Sequence, residues 1–354
     1  MASTVSKVPQ TFRKWVVQKI SNKFREAAEV VTVNTPQIGP SEVLVKNKYV
    51  GINASDINFT AGRYDPTAKP PFDAGFEAVG EVVARGDSCN KLNLGQPVCY
   101  MANGAFAEYM VLKERHVFPV PATNPEFVTL LVSGLTAAIS LDKVGEIKKG
   151  ETVLVTAAAG GTGQFAVQAA RNAGCHVIGT CSSDDKVQFL KDIGCDRPVN
   201  YKKENLNEVL KNEYPSGVDV VYESIGGDMF DTAVKNLAIK GRLIIIGYIA
   251  GYETSRGFPT SKVVATLPQR LLPKSASVRG FFLFGYVSDF PEYLNKLVDM
   301  YKAGTLKLNV DNGQRFESGP FKGVGSIPNA IEYLYSGKSM GKIVVDVDQQ
   351  ASKL

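Results

Sequence analysis

Apolar and polar residues alternate over short stretches in the first third of the chain. Turn residues such as Asn34-Thr-Pro36 separate these stretches. Alternation with a period of two is typical of half-buried β-strands. The long loop from Gly62 to Pro71 lies between two of these stretches, and we predict that it serves function rather than packing. We predict a barrel-like all-β region with these strands: Trp15–Ile20, Glu42–Asn53, Gly80–Arg85, Gln96–Met101 and Ala105–Leu112.

The pattern changes near Pro125, beyond which short apolar runs alternate with stretches of helical periodicity. The predicted strands are Thr152–Thr156, His176–Thr180, Arg197–Asn200, Val218–Tyr222, Arg242–Gly247 and Ser277–Phe282. The predicted helices between them include Gly163–Ala173, Asp185–Ile193 and Met229–Leu237. Strands joined by crossover helices form a parallel sheet covered on both faces, so we predict a doubly wound Rossmann domain.

These patterns together predict an α/β protein. Residues 1–130 form the barrel-like domain and residues 131–300 the Rossmann domain. Residues 301–354 return to the first domain and end in a strand-like segment, Lys342–Asp348. The apolar run Phe127–Leu141 is too short to cross a bilayer and is predicted to be a core helix.

Charge and cysteine content narrow the class of function only slightly. The 354 residues carry 40 Lys and Arg against 35 Asp and Glu, a net charge of +5. This excess suits an anionic ligand but is too mild for a nucleic-acid-binding protein, and neither a nucleic acid nor a membrane is predicted as a partner. The five cysteines have no close pairing spacing, which indicates free thiols in a reducing compartment.

The strongest chemical signal is a glycine-rich turn after the first strand of the Rossmann domain. Gly161, Gly163 and Ala166 fit the pattern G-x-G-x-x-A between a β-branched strand and a helix. The glycines allow a tight turn and close approach of the backbone to a pyrophosphate, and the helix N-terminus offers its N–H groups. We predict a dinucleotide site with these phosphate contacts: Gly160, Gly161, Thr162 and Gly163.

The end of the second Rossmann strand predicts which dinucleotide binds. An NAD site needs an acidic residue there to bind the ribose 2′-OH, but residues 180–183 are Thr-Cys-Ser-Ser. Hydroxyls and a nearby cation suit a 2′-phosphate instead, and we predict NADPH. The predicted 2′-phosphate contacts are Ser182, Ser183, Lys186 and Tyr201. Asp184 and Asp185 oppose this assignment unless they face solvent in the first helical turn.

Four segments resemble the zinc-free reductase branch of the medium-chain dehydrogenase/reductase superfamily, which includes quinone, enoyl and prostaglandin reductases. The segments are Asn53-Ala-Ser-Asp-Ile-Asn58, Ala61-Gly-Arg-Tyr-Asp65, Cys175-His-Val-Ile-Gly-Thr-Cys-Ser-Ser-Asp184 and Tyr222-Glu-Ser-Ile-Gly-Gly227. The resemblance extends from Trp15 to Leu354. It implies a GroES-like catalytic domain at the N-terminus and an NADPH-binding Rossmann domain after it.

Other members of the superfamily hold a catalytic zinc through Cys and His. Asn53 or Ala54 lies where the Cys would be, and Phe76 lies where the His would be. Neither an amide, a methyl group nor a phenyl ring is a good zinc ligand, and Glu77 by itself does not make a site. We predict no metal, which makes alcohol oxidation through a zinc alkoxide an unfavourable assignment.

The resemblance implies zinc-independent reduction of the carbon–carbon double bond of α,β-unsaturated ketones, 15-keto-prostaglandins above all, in lipid metabolism. Hydride would pass from NADPH to the β-carbon, and negative charge would build on the carbonyl oxygen. Two alternatives stay open: a quinone or 2-enoyl thioester reductase of the same superfamily, and a scaffold that binds NADPH without turnover. The expected partner in each catalytic case is a small apolar or lipid substrate.

An oxyanion needs positioned hydrogen-bond donors, and without a metal a tyrosine is the natural one. Tyr252, just past the fifth Rossmann strand, matches the position of a catalytic tyrosine in prostaglandin reductases. Tyr64, in the long loop, is the second candidate and the Asn53 amide is the third.

The resemblance also implies further cofactor contacts at the carboxyl ends of the Rossmann strands. These residues are Ser224, Ile246, Gly247, Tyr252, Gly280, Phe281 and Phe282. The resemblance also implies a cofactor contact near the C-terminus, at Ser339. The family usually has Asn at this position, so Ser339 departs from the family pattern.

A bulky lipid substrate needs an apolar pocket. The candidate lining residues are Phe281, Phe282, Phe284 and Tyr286, with Met101 and Tyr100 opposite. The aromatic stretch could instead form a dimer seam, because family members commonly pair their sixth strands across a two-fold axis. A homodimer is therefore expected.

The two ends of the sequence carry competing signals for location. Ser352-Lys353-Leu354 is a peroxisomal address, which predicts a peroxisomal import receptor as a partner. Basic residues precede the first acid, Glu26, and suggest a mitochondrial presequence. Lys14–Ile20 alternates like a strand, however, so we favour the peroxisome over the mitochondrion or the cytoplasm.

Overall fold

The structure is a computed structural model in which residues 8–348 are described. Ser352–Leu354 lies outside the described residues, so the peroxisomal address and its receptor stay predictions. The chain divides into two compact units, Met1–Val132 with Val310–Leu354 and Ser133–Asn309. The predicted boundaries were residues 130 and 300, whereas in the structure the second unit continues to Asn309.

The strands are β1 (Thr11–Val17), β2 (Ala28–Asn34), β3 (Glu42–Gly51), β4 (Phe72–Asp73), β5 (Glu77–Arg85), β6 (Pro97–Met101), β7 (Tyr109–Lys113), β8 (Val117–Pro119), β9 (Thr152–Val155), β10 (His176–Cys181), β11 (Arg197–Asn200), β12 (Val218–Glu223), β13 (Leu237–Ile245), β14 (Ser277–Gly280), β15 (Val310–Asp311) and β16 (Lys342–Asp346).

The α-helices are α1 (Phe24–Ala27), α2 (Ser55–Thr60), α3 (Glu126–Thr129), α4 (Thr136–Ile139), α5 (Gly163–Asn172), α6 (Asp184–Asp192), α7 (Leu206–Glu213), α8 (Gly227–Lys235), α9 (Leu267–Leu271), α10 (Phe290–Lys302) and α11 (Ile327–Tyr335). Short 3₁₀ turns include Ile249–Gly251 and Leu283–Asp289.

The first unit contains two sheets. A three-stranded sheet has the order β2-β1-β4, and a larger sheet has the order β15-β16-β3-β5-β6-β8, with β7 also paired to β3. The core includes Trp15, whose indole N–H donates to the carbonyl of Val324 at 2.7 Å. The predicted barrel-like architecture of this part of the chain is confirmed.

Strand register in the larger sheet brings together residues that are far apart in sequence. Val344 of β16 lies opposite Gly51 of β3 in an antiparallel pair. Lys342, at the start of β16, therefore comes beside Asn53, just beyond the end of β3. Glu77, the first residue of β5, reaches the same place because β5 also pairs with β3, with Ala78 opposite Val50.

The second unit contains a six-stranded sheet with the order β11-β10-β9-β12-β13-β14. Every pair in it is parallel. The chain runs outward from β9 to β10 and β11 and then crosses to β12 on the other side of β9. Doubly wound sheets bind ligands beyond the carboxyl ends of the strands at this switch point. The predicted Rossmann architecture is confirmed.

One helical segment of the chain is unusually apolar in composition. Glu126–Val144 is long and apolar enough to cross a membrane by length and composition, and 78% of its apolar 18-residue stretch is buried within the protein. Buried core helices satisfy the same criteria, so the segment is weak evidence for a membrane span. Its helix is irregular, with π-helical turns at Leu130–Leu135 and Ser140–Val144.

Candidate active site

The glycine-rich turn has the close packing that a pyrophosphate site requires. A Cβ atom on Gly163 would lie 2.7 Å from the Cα atom and 2.8 Å from the carbonyl oxygen of Ala158. Only glycine fits there, so the backbone can turn sharply from β9 into α5. The side chain of Thr162, at the N-cap of α5, makes no capping hydrogen bond. No cap of that kind competes with an anion for the N-terminus of α5.

The residues predicted to hold a 2′-phosphate lie together at the end of β10. Ser183 caps α6 by accepting a hydrogen bond from the Lys186 backbone N–H at 3.4 Å. The Lys186 ammonium lies 3.5 Å from the Ser182 hydroxyl. Tyr201 joins them because its backbone N–H donates to the carbonyl of Cys181 at 3.1 Å. Two hydroxyls, a cation and a half-exposed phenol therefore share one edge, which suits a phosphate dianion.

Asp184, the residue that opposed an NADPH assignment, is neutralised by its neighbours. Its carboxylate accepts from Asn200 Nδ2 at 3.0 Å and from Lys203 Nζ at 2.5 Å. These bonds lower the pKa of Asp184, the larger effect coming from Lys203. Sequence reasoning missed Lys203, although the two lysines at positions 202 and 203, shortly after β11, were a visible signal. Its charge reduces the repulsion that Asp184 would exert on a nearby phosphate.

A buried carboxylate organises the loop after β12. Glu223 is 1% exposed and accepts hydrogen bonds from the backbone N–H groups of Ile225, at 2.9 Å, and Gly226, at 3.0 Å. The N–H of Ser224, which precedes them, donates to Thr156 Oγ1 at 2.8 Å. Burial raises the pKa of Glu223 to about 7. Ser224 is thereby held at the carboxyl edge of the sheet, where it was predicted to contact the cofactor.

Tyr252 lies on a short turn that is tied to this loop. The backbone N–H of Ile249 donates to the carbonyl of Ser224 at 3.1 Å, so the segments after β12 and β13 are joined. Tyr252 is 5% exposed, and its hydroxyl oxygen accepts from the Tyr248 backbone N–H at 3.2 Å. A Cβ atom on Gly247 would come within 2.7 Å of the same oxygen, so glycine keeps this approach open.

The remaining predicted contacts of the second unit follow from the parallel register. Ile246 donates its backbone N–H to the carbonyl of Glu223 at 2.8 Å, directly before Gly247. Gly280 ends β14, and Phe281 donates to the carbonyl of Ile245 at 3.1 Å. The ends of β12, β13 and β14 therefore gather these predicted residues at one edge.

The aromatic stretch after β14 divides into a buried and an exposed part. Phe281 is 9% exposed and stacks on Tyr286 with ring centroids 5.0 Å apart. Phe282 and Phe284 are 54% and 43% exposed. The interpretation of Tyr100 as a pocket residue is wrong. It is 0% exposed and its hydroxyl donates to Asn47 Oδ1 at 2.9 Å, because β6 is buried on both faces in its centre.

The first unit holds a buried polar cluster around Asn53. Lys342 Nζ lies 2.6 Å from Asn53 Oδ1 and 2.5 Å from Glu77 Oε1. Asn53 Nδ2 donates to the same Glu77 oxygen at 2.9 Å, and the other Glu77 oxygen accepts from the Val132 backbone N–H at 2.8 Å. Gly51 makes room for this carboxylate, because a Cβ atom there would overlap it. Sequence reasoning missed Lys342, which reads as an ordinary strand residue.

Asp56 also belongs to the cluster, through a hydrogen bond with the backbone of Asn53. It is 3% exposed, and its Oδ2 atom accepts from the Asn53 backbone N–H at 2.8 Å. Its Oδ1 atom is buried without a hydrogen-bond partner among the described residues. Burial raises the pKa of Asp56 to about 8, against the opposing effect of the Asn53 hydrogen bond. Asp56 is therefore protonated at neutral pH.

The residues of this cluster do not fit a zinc ion. The ammonium of Lys342 already neutralises the Glu77 carboxylate, and a dication beside it would be repelled. Phe76 is 6% exposed and packs edge-to-face on Phe59 at 5.0 Å, so it offers no ligand atom. Residues 8–348 contain no group of three or more His, Cys, Asp or Glu that could hold a metal.

Tyr64 and Ser339 also belong to the first unit. Tyr64 is 39% exposed and its hydroxyl accepts from Asn58 Nδ2 at 3.3 Å. Ser339 precedes β16, and the next backbone N–H, that of Met340, donates to Asp311 Oδ2 at 2.9 Å. The candidates Tyr64, Asn53 and Ser339 are thus carried by the first unit, and Tyr252 with the other predicted contacts by the second.

We expect Asp56→Asn to flatten the dependence of stability on pH. With a pKa of about 8 when folded and about 3.9 when unfolded, Asp56 binds its proton more tightly in the folded protein. It therefore removes stability as pH rises from about 4 to about 8, by roughly 1.4 kcal/mol per pH unit. Denaturant unfolding at pH 5, 6, 7 and 8 measures this slope.

The asparagine keeps an acceptor for the Asn53 N–H but does not titrate. The free energy of unfolding of the variant, relative to that of the wild type, should therefore increase as pH rises. Asp65→Asn is the control, because Thr67 hydrogen bonds lower the pKa of that exposed carboxylate and it stays ionised over this range. Equal slopes in Asp56→Asn and the wild type would contradict the assignment of a proton to Asp56.

Comparison with known proteins agrees with this geometry. The family model "Alcohol dehydrogenase GroES-like domain" matches residues 39–122, and "Zinc-binding dehydrogenase" matches residues 161–299. Prostaglandin reductase-3 of Mus musculus is 53% identical over 352 residues, 98% of this chain and 92% of the mouse protein. A probable quinone oxidoreductase of Leishmania amazonensis is 44% identical over 96% of this chain and 99% of its own length.

A solved structure is similar over almost the whole chain. Escherichia coli quinone oxidoreductase complexed with NADPH has a TM-score of 0.81 at 28% identity, and covers 94% of this chain and 99% of its own. The predicted resemblance is confirmed. This chain belongs to the medium-chain dehydrogenase/reductase superfamily of oxidoreductases.

Proposed function

We propose that this NADPH-dependent oxidoreductase reduces the carbon–carbon double bond of α,β-unsaturated ketones, with 15-keto-prostaglandins as its substrate class. The observation that carries the proposal is the Tyr252 hydroxyl, held beside Gly247 at the edge that also carries the dinucleotide turn. A hydroxyl there can donate to a carbonyl oxygen without a metal. The name of the mouse relative, prostaglandin reductase-3, supports this substrate class.

The residues of the chain supply binding, orientation and charge stabilisation. NADPH supplies the hydride when it is bound. The turn at Gly163 and the N-terminus of α5 bind its pyrophosphate, and Ser182, Ser183 and Lys186 bind its 2′-phosphate. Tyr252 donates to the carbonyl oxygen as negative charge develops there. The α-carbon takes its proton from water, so no dedicated acid is needed.

We expect Lys186→Ala to weaken the binding of NADPH but not that of NADH. Hydrogen bonds to a charged group typically contribute 1.5–3 kcal/mol, so the KM for NADPH should rise by about 10–100-fold. The KM for NADH, which has no 2′-phosphate, should change by less than about twofold. Steady-state kinetics with both cofactors measures the effect. Lys191→Ala, in the last turn of the same helix, is the matched control, and an equal loss with NADH would place Lys186 away from the 2′-phosphate.

A quinone or 2-enoyl thioester is the alternative substrate. The relatives named quinone oxidoreductase, in Leishmania and in Escherichia coli, favour the quinone. The Ser and Lys residues that suit NADPH do not discriminate between these acceptors, because their proposed contacts are with the cofactor alone. A scaffold without turnover is the third reading.

Absorbance at 340 nm with NADPH and a substrate panel tests the proposal. The panel contains a 15-keto-prostaglandin, a simple enone, a quinone and an enoyl thioester, each with and without a chelator. Fast oxidation with the prostaglandin, insensitive to chelator, is the expected result. Turnover only with the quinone or the thioester replaces the substrate class, and NADPH binding without turnover on any member favours the scaffold.

We also propose that the protein is a homodimer. β14 is the last strand in the order of the second unit's sheet and is hydrogen-bonded, within residues 8–348, to β13. An edge strand offers unpaired backbone groups to a second copy. The exposed side chains of Phe282, Phe284 and Val287 follow it closely. Sedimentation equilibrium, repeated with Phe284→Lys, distinguishes a dimer from a monomer.

A further inference from the structure

The buried ion pair between Lys342 and Glu77 of the first unit takes no part in the hydride transfer or the cofactor contacts of the proposed reduction. Lys342 and Glu77 are 2% and 0% exposed, with 2.5 Å between Nζ and Oε1. Replacing a buried ion pair with apolar residues of similar volume is often neutral or stabilising, because both charges lose their hydration. Stability is therefore a poor explanation for this pair, and its contacts point to Asn53.

The ion pair determines the orientation of the Asn53 amide. An ammonium group carries only donors, so the amide atom that faces Lys342 at 2.6 Å must be the oxygen. A carboxylate carries only acceptors, so the atom that faces Glu77 at 2.9 Å must be Nδ2. The flipped amide would set donor against donor and acceptor against acceptor. The side-chain orientation thus follows from the charges on its two sides.

This orientation leaves a second amide hydrogen to be accounted for. Nδ2 carries two N–H bonds, and Glu77 accepts one of them. No hydrogen bond from the other is found within residues 8–348. The Lys342 ammonium that donates to Oδ1 polarises the amide and strengthens its N–H as a donor.

The backbone around Asn53 is fixed as well. The Asn53 N–H donates to Asp56, and the Tyr335 hydroxyl donates to the carbonyl of Ala54 at 2.6 Å. The donor is therefore held in place before any substrate arrives, which is the condition for effective stabilisation of developing charge.

We propose that Lys342 is a positioning residue for the reduction. Its ammonium orients and polarises the Asn53 amide, and the second N–H of Nδ2 donates to the substrate oxygen as negative charge develops there. The inference rests on the proposed function and adds Asn53, one of the three candidate donors, to Tyr252 as an oxyanion donor. No bond to Lys342 forms or breaks in the reaction.

A double-mutant cycle with Lys342→Met and Asn53→Ala tests this inference. Lys342→Met is expected to lower kcat by about 10–100-fold, because a misoriented donor no longer stabilises the oxyanion. KM for NADPH should change by less than about twofold. In the Asn53→Ala background, Lys342→Met should have almost no further effect on kcat. Lys46→Met, which removes a partly buried, ion-paired lysine of β3, is the matched control.

Lys342→Met leaves Glu77 without its counter-charge, so the variant could fail to fold. Glu77→Gln/Lys342→Met, in which neither side chain is charged, then takes the place of Lys342→Met in the cycle with Asn53→Ala. Full kcat in a folded Lys342 variant, or independent losses from Lys342 and Asn53, overturns the inference.

The failure of the proposed function is a separate result. It appears in the wild type, as turnover with the quinone or thioester only, and the cycle is then measured with that substrate. A wild type that reduces no member of the panel overturns both the proposed function and the positioning role of Lys342.

Discussion

Tyr252→Phe is expected to lower kcat for the enone by about 100–1000-fold, the usual loss when one oxyanion donor is removed. The ring is retained, so its edge-to-face contact with Tyr248, with centroids 5.0 Å apart, should survive. The folded protein should bind NADPH with nearly unchanged affinity. Stopped-flow absorbance at 340 nm with saturating NADPH measures the hydride-transfer rate directly.

Two further variants sharpen this expectation. Tyr248→Phe removes a neighbouring phenol but keeps the backbone N–H that donates to Tyr252, so kcat should fall by less than about threefold. Gly247→Ala brings a methyl group against the Tyr252 oxygen and should reproduce part of the loss. A larger loss in Tyr64→Phe than in Tyr252→Phe would transfer the donor role to the first unit.

Glu77→Gln is expected to destabilise the first unit by about 3–5 kcal/mol, because it leaves the ammonium of Lys342 buried without a counter-charge. The ammonium retains the Asn53 oxygen as an acceptor, which does not replace a carboxylate. The free energy of unfolding, measured by urea titration with fluorescence of Trp15, reports this loss, since Trp15 lies in the core of the same unit.

The double variant Glu77→Gln/Lys342→Met should recover more than half of that loss, because it buries no net charge. Glu81→Gln, further along the same strand β5, is the control and should change stability by less than about 0.5 kcal/mol. If Glu77→Gln is as stable as the wild type, Glu77 does not supply the counter-charge of Lys342 that their 2.5 Å separation indicates.

Local periodicity predicted most of the fold. The six Rossmann strands were recognisable because parallel strands buried on both faces appear as continuous apolar runs. The glycine turn and the 2′-phosphate edge were predictable for a related reason, since both consist of neighbouring residues on one strand–helix connection. Ser182, Ser183 and Lys186 lie within five positions of each other.

The cluster around Asn53 could not be predicted in the same way. Lys342 contacts Asn53 across 289 positions of sequence, and the contact depends on how β16 is registered against β3. The pattern Lys342-Ile-Val-Val-Asp346 is equally typical of a strand whose first lysine faces water. Asp56 was hidden for another reason, because a single acid in a helix-forming segment gives no sign of its burial.

The discontinuity of the first unit has a consequence for synthesis on the ribosome. The second unit is complete once Asn309 has emerged, and it can fold while the C-terminal segment is still being made. The larger sheet of the first unit must wait for β16, since this strand separates β15 from β3. Until that last strand docks, Glu77 has no counter-charge, and the nascent first unit cannot bury this carboxylate without a penalty.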